Sequence, residues 1–133
     1  MKTWIKRVLK GVRIAIIGIP LLLIALIILM EIVGYFANHS ATDKQTKELK
    51  KVISLEIDDA QIIDEYSETG NTSGTGNHVD CLSRISFSSG MNYEVISDIF
   101  DKYYKYWELK NENGIYIVTV NTSAPFPDNI EGH

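Results

Sequence analysis

The most apolar stretch of the chain runs from Ile14 to Met30 and contains no charged residue. Glu31 interrupts it, and apolar residues then continue to Phe36. A helix rises about 1.5 Å per residue, so residues 14–36 would extend about 34 Å, enough to cross a bilayer core of about 30 Å. Because backbone groups in hydrocarbon must be paired within their own segment, this pattern predicts a single transmembrane helix over residues 14–36.

Beyond this run, the spacing of apolar residues changes from one segment to the next. Residues 37–51 are polar and predict a linker with a short helix from about Asp43 to Lys51. Alternation in VISLEID, at Val52–Asp58, predicts a first strand. QIIDEYSE, at Gln61–Glu68, predicts a second strand, and the short connection predicts that the two form an antiparallel hairpin.

The second half of the chain contains the clearest alternation, over residues 78–89, which predict a third strand. Apolar residues at helical spacing then predict an amphipathic helix of about four turns over residues 91–107. Residues 106–110 leave this pattern and predict a fourth strand. Asn113-Gly114 is typical of a two-residue hairpin turn and predicts a last strand over residues 114–121.

Together these elements predict an α+β fold, in which the transmembrane helix is followed by the order β-β-β-α-β-β. One amphipathic helix would pack on a small antiparallel sheet, which buries the apolar side of each. The predicted domains are a basic cytoplasmic tail at residues 1–13, a membrane helix at 14–36, a linker at 37–51, an extracytoplasmic domain at 52–121 and an extended tail at 122–133.

Charge differs strongly between the two ends of the chain. Residues 1–13 contain five basic residues and no acidic one, whereas residues 38–133 carry a net charge of −8. Basic flanks stay on the cytoplasmic side, so we expect a cytoplasmic N-terminus and an extracytoplasmic C-terminal part in the cell membrane. A cleaved signal peptide is the alternative, but the apolar core is long and lacks a small-x-small cleavage site. The acidic balance argues against nucleic-acid binding.

Glu31 is the one ionisable residue within the predicted span. Ionisable groups in membrane helices are costly and often have a use, so Glu31 is a candidate for contact with a partner helix. The alternative is a glutamate that extends toward the outer headgroups, because it lies only five residues before Phe36.

The residue types associated with catalysis are sparse. Cys81 is the only cysteine, so an internal disulfide is excluded, and its place in the apolar alternation predicts a buried free thiol. His39, His78 and His133 are scattered, and nothing pairs a nucleophile with a base. We therefore expect a chain that is not an enzyme and that has no cofactor and no metal.

A loop rich in glycine, serine, threonine and asparagine at Gly70–Asn77 precedes the third strand. It lacks the lysine of a phosphate loop and the glycine spacing of a dinucleotide site. Loops commonly carry binding residues, so this loop and the two polar positions after it are a candidate contact site. The alternative is a simple long hairpin connection between two strands. The candidate residues are Asn71, Thr72, Ser73, Thr75, Asn77, His78 and Asp80. Two of these, His78 and Asp80, are too few to predict a metal site.

GNTSGTGNHVD, from Gly70 to Asp80, and the closing APFPDNIEGH, from Ala124 to His133, together resemble small single-pass membrane proteins of Gram-positive bacteria. The resemblance implies a membrane-anchored chain but no particular activity and no functional residues. It leaves the function to be argued from the residues themselves.

Two functions fit a membrane anchor joined to a small acidic domain. The first is an interaction module, such as a subunit, a regulator or an immunity-type protein, that contacts another protein of the cell envelope. The second is an extracytoplasmic ligand-sensing domain that binds through the Gly70–Asn77 loop.

Overall fold

The computed structural model describes residues 2–133, and the chain divides between Val33 and Gly34 into two compact units. Helix α1 is long and is followed by an antiparallel four-stranded sheet and a short helix, α2. The elements are α1 (Lys2–Glu56), β1 (Gln61–Gly70), β2 (Asp80–Ser88), α2 (Tyr93–Tyr103), β3 (Trp107–Glu112), β4 (Ile115–Ser123) and a 3-10 turn at Ile130–Gly132, here called the C-terminal turn. The α+β class is confirmed, but the predicted order of elements is not.

Helix α1 contains the whole predicted span. Among residues 2–133 it is the one helix long and apolar enough to cross a membrane. Its apolar side chains from Ile14 to Met30 are exposed among the described residues, as a membrane-facing surface requires. By length and composition α1 is a candidate single membrane span, and a signal sequence near an N-terminus meets the same two criteria.

The strand predicted at Val52–Asp58 is wrong, because α1 continues through most of this segment. Leu49, Ile53 and Ile57 lie four residues apart and are fully or almost fully buried. Leu55, which a strand would have placed beside Ile53 and Ile57, is 66% exposed. Residues four apart satisfy both helical and strand spacing, and the exposure of Leu55, midway between the two buried isoleucines, fits only the helix.

Two further predictions are wrong because α1 continues to Glu56. The short helix predicted at Asp43–Lys51 is an internal part of α1, and the hairpin between the first two predicted strands does not form. The strand predicted at Gln61–Glu68 is confirmed as β1, but it pairs with β2. The observed order after the apolar run is therefore β-β-α-β-β, with four strands instead of five.

The sheet has the strand order β1-β2-β4-β3, and every neighbouring pair is antiparallel. β1 and β3 form its two edges. β3 and β4 are joined at Asn113 and Gly114, both with positive φ, which confirms the predicted hairpin turn. The register between β1 and β2 shifts between Ile62 and Asp64, which marks a bulge near the start of β1.

The core lies between the sheet and the two helices. Alternate residues of β2 are buried and point to the helices, and we call this side of the sheet the helix face: Cys81, Ser83, Ile85 and Phe87. The other side, where Arg84 is exposed, is the open face. Phe87 is at the centre of the core, stacked 5.6 Å from Tyr116 and 6.3 Å from Phe100 on α2.

Helix α2 is shorter than predicted. It covers Tyr93–Tyr103, about three turns, and Tyr104 is already extended. Trp107 lies four residues after Tyr103, which imitates one more helical turn, but it begins β3. Its ring packs against Phe100 at 6.2 Å, so Trp107 adjoins the core from a strand and not from the helix.

Asp59, in the turn between α1 and β1, fixes the connection from β2 to α2. Its carboxylate accepts the hydroxyl of Ser89 at 2.6 Å and the N–H of Gly90 at 2.7 Å. These hydrogen bonds favour the ionised form and hold the pKa of Asp59 below its usual value. The turn therefore positions the start of α2 relative to the sheet.

Candidate interaction surface

The predicted contact loop connects β1 to β2 and is held from inside by Asp80. The buried carboxylate of Asp80 accepts the N–H of Ser73 at 3.1 Å and the hydroxyl of Thr72 at 3.3 Å. Asn71 accepts the N–H of Gly74 at 3.0 Å through its side-chain oxygen. The side chains of Asn71, Thr72 and Asp80 therefore build the loop, because Thr72 pairs with Asp80 and Asn71 with the main chain of Gly74.

The outward positions of the loop are Ser73, Thr75 and Asn77, all exposed. The hydroxyls of Ser73 and Thr75 lie 3.0 Å apart. No group of three or more histidine, cysteine, aspartate and glutamate side chains within residues 2–133 is placed to hold a metal ion. Ligand binding by this loop stays a prediction, and none of these contacts favours it.

His78 lies in a cluster that the sequence did not reveal. Its Nε2 atom is 2.8 Å from the hydroxyl oxygen of Ser123 and 3.4 Å from a carboxylate oxygen of Asp80. In a serine–histidine–aspartate relay, the serine and the aspartate contact different ring nitrogens. Here both contact the same nitrogen, so Asp80 does not orient the ring for taking a proton from Ser123. Only the β2–β4 register, which pairs Asp80 with Ser123, brings these residues together.

Polar side chains, as well as apolar ones, fasten α1 to the helix face. The amide nitrogen of Gln45 donates to the carbonyl of Cys81 at 2.9 Å and to the hydroxyl of Ser83 at 3.0 Å. Its amide oxygen accepts the hydroxyl of Thr122 on β4. The hydroxyl of Thr46 lies 2.7 Å from that of Ser83. Directional contacts of this kind fix the position of α1 along the strands.

The tail at residues 122–133, predicted as extended, is docked on α1. Asn38 is fully buried and donates to the carbonyl of Phe126 at 2.9 Å and to Glu131 at 3.1 Å. Its side-chain oxygen accepts the N–H of Phe126 at 2.8 Å. The second carboxylate oxygen of Glu131 is 2.8 Å from Nε2 of His39. The end of the chain is thus bound to the part of α1 that directly follows the apolar run.

Cys81 is a buried free thiol, as predicted. Its Sγ contacts the carbonyl oxygen of Asn38 at 3.8 Å. Burial raises the pKa of the thiol, and the nearby carboxylates of Asp80 and Glu131 raise it further. A reactive cysteine needs the opposite environment, so Cys81 has the properties of a structural residue.

Glu31, the predicted contact of the membrane helix, lies at a half-buried position of α1 in the first compact unit. It belongs to a different unit from the loop and the sheet. Its contact with a partner helix stays a prediction.

The most accessible element of the sheet is β1. From Gln61 to Glu68 every residue is exposed, so both faces of this edge strand are open along eight residues. Ile63 is 56% exposed and Tyr66 is 45% exposed. An edge strand presents main-chain N–H and C=O groups that a further strand can pair with. The sequence alone gave no sign of this, because it depends on β1 being last in the strand order.

No protein-family model matches the chain, and no characterised protein or solved structure is significantly similar to it. The function is therefore inferred from the geometry and charge of the described residues.

Proposed function

We propose that this chain is a membrane-anchored interaction module, and that the β1 edge binds an extended segment of another protein of the cell envelope. Such a module acts as a subunit, a regulator or an immunity-type protein. The proposal combines an anchor, formed by the apolar part of α1, with a docking edge, formed by β1.

The anchor is supported by composition and charge. One apolar helix of sufficient length is present, with basic residues before it and an acidic domain after it. In the proposed arrangement α1 crosses the cell membrane once, with residues 1–13 in the cytoplasm and residues 37–133 outside. Because anchoring restricts the domain to the membrane surface, partners in the same membrane are met at a high effective concentration.

The main support for the proposed docking edge is the exposure of β1. A ten-residue edge strand with exposed apolar side chains is a hazard for a protein that has no use for it, because it invites pairing with other chains. Strand addition would pair the free main-chain groups and would cover Ile62, Ile63 and Tyr66. These residues are 38%, 56% and 45% exposed, so a substantial part of their apolar area is still available for burial against a partner.

Labelling of introduced cysteines tests the orientation. A membrane-impermeant maleimide added to intact cells should react with Asn77→Cys, which is exposed in the loop, and should react with Lys6→Cys only after lysis. The unmodified chain is the control, because its single thiol is buried and should remain unlabelled. Labelling of the Lys6 variant in intact cells, or a mature protein that begins after the apolar run, would contradict the anchor.

Photo-crosslinking tests the docking edge. Ser67 on β1 is exposed and small, and we expect p-benzoylphenylalanine at this position of the full chain to form a discrete adduct with another protein in native membranes. The matched control is Lys110 on β3, which is exposed at the opposite edge of the same sheet. No adduct at Ser67, or the same adduct at both positions, would remove the β1 edge from the proposal.

A further inference from the structure

We infer that the segment bound by the β1 edge is basic, with two lysine or arginine residues four positions apart and an apolar residue midway between them. This inference rests on the proposed function and names the chemistry of its partner. It follows from which charges β1 carries, which sheet face each charge lies on, and which of them already have a partner.

The first observation is the sign of the charge. β1 contains Asp64, Glu65 and Glu68 and no basic residue. Two copies of β1 paired with each other would bring six carboxylates onto one two-stranded ribbon, where each copy supplies only Lys50 beside Glu65 and Arg84 beside Tyr66 as neighbouring cations. Like charges on facing strands are destabilising. A second copy of this chain is therefore a poor occupant of the edge, and a cationic segment is a good one.

The second observation is the division of these charges between the two faces. The register places Tyr66 opposite Arg84, whose side chain is exposed on the open face, so Asp64 and Glu68 share that face two residues to either side. Glu65 lies on the helix face, where its carboxylate is 2.8 Å from the ammonium group of Lys50 on α1. The carboxylate that already has a cation is thus on one face, and the other two are on the opposite face.

The third observation concerns the open-face residue between the two carboxylates. Tyr66 is half-exposed, donates its hydroxyl to Glu68 at 2.7 Å, and has the guanidinium group of Arg84 5.6 Å from its ring centre. The free side of the ring offers an apolar surface to a facing side chain. No ion pair is formed by Asp64 within residues 2–133, which leaves its charge for a partner.

These three observations define the complementary strand. On an added strand, residues two apart share a face, so the positions facing Asp64, Tyr66 and Glu68 are basic, apolar and basic. The alternate positions face the side of β1 where Lys50 lies, and a basic residue there would be repelled. The bulge near Ile62 disturbs only the start of the strand and leaves Asp64–Gly70 in regular register with β2.

The test uses the crosslinking variant of Ser67 in the full chain. Adding Asp64→Asn and Glu68→Gln should lower the yield of the partner adduct about three- to tenfold, the loss expected for two open-face charge pairs. The matched control is Asp98→Asn with Asp101→Asn on α2, which changes the net charge equally at exposed positions away from β1 and should leave the yield unchanged.

Sequencing the crosslinked peptide by mass spectrometry supplies a second readout, and its segment should contain the basic, apolar, basic pattern at alternate positions. An adduct that survives neutralisation of both carboxylates, or a crosslinked segment that is acidic or comes from a second copy of this chain, would overturn the inference. In those cases the carboxylates of β1 serve only to discourage other strands from pairing with this edge. The adduct at Ser67 would still support the docking edge, whereas its complete absence counts against the proposed function itself.

Discussion

Replacing Phe87 with alanine is expected to lower the free energy of unfolding of the C-terminal domain by about 3–5 kcal/mol. Phe87 is fully buried and its ring contacts Tyr116 on β4 and Phe100 on α2. Removing the ring leaves a cavity where the sheet meets both helices, and the backbone of β2 is paired on both sides and cannot close it. Small domains are stable by only about 5–15 kcal/mol, so this loss is large.

The measurement is urea denaturation of the full chain in detergent, followed by Trp107 fluorescence in a Trp4→Phe background. Leu55→Ala is the control, because Leu55 is 66% exposed on α1 and its loss should change the stability by no more than about 0.5 kcal/mol. The control is informative in itself. A large loss on removing Leu55 would mean that it is buried with Ile53 and Ile57, as in the strand predicted from the sequence.

Replacing Asn38 with alanine is expected to lower the free energy of unfolding by about 2–4 kcal/mol. The main-chain N–H and carbonyl of the half-buried Phe126 would lose the partner that the fully buried Asn38 supplies. One side chain here satisfies both groups, and Glu131 loses a donor as well. Hydrogen exchange should also become faster in residues 124–133, since Asn38 fastens this segment to α1.

Asn77→Ala is the matched control for this substitution, since Asn77 is exposed in the loop before β2 and its replacement should have an effect within about 0.5 kcal/mol. Equal effects of the two substitutions would show that the contacts of Asn38 with the tail contribute little. Loss of stability without faster exchange in residues 124–133 would place the role of Asn38 elsewhere on α1.

Helices, strands and turns could be predicted where the local sequence pattern was compatible with only one type of secondary structure. β2 has clear alternation ending in Phe87, interrupted only at Leu82 and Ser83. α2 has helical spacing around Phe100, and Asn113-Gly114 permits few structures except a tight hairpin turn. All three are confirmed, apart from the last turn assigned to α2. The C-terminal end of α1 was missed because Ile53 and Ile57 are compatible with both periods, and the choice depends on burial of Leu49 against residues distant in sequence.

The exposure of β1, on which the proposed function depends, could not be predicted from local sequence patterns. The exposure of β1 follows from the strand order, and the order depends on β4 occupying the far side of β2. The loop, by contrast, was recognised from its composition, but composition does not show whether a polar side chain points outward. Asp80 accepts the hydroxyl of Thr72 and the main-chain N–H of Ser73, so these polar groups serve the loop itself, whereas the Ser73 side chain points outward.

The docking of the tail has a consequence for biosynthesis. Asn38 is among the first residues of the domain to leave the ribosome, and its partners Phe126 and Glu131 are among the last, 88 and 93 positions later. The part of α1 around Asn38 therefore cannot acquire its final contacts until residues 126–131 have left the ribosome. A nascent chain in which the apolar helix already lies in the bilayer would hold this polar site open until those residues emerge, and a chain truncated before Ala124 would leave it permanently unfilled.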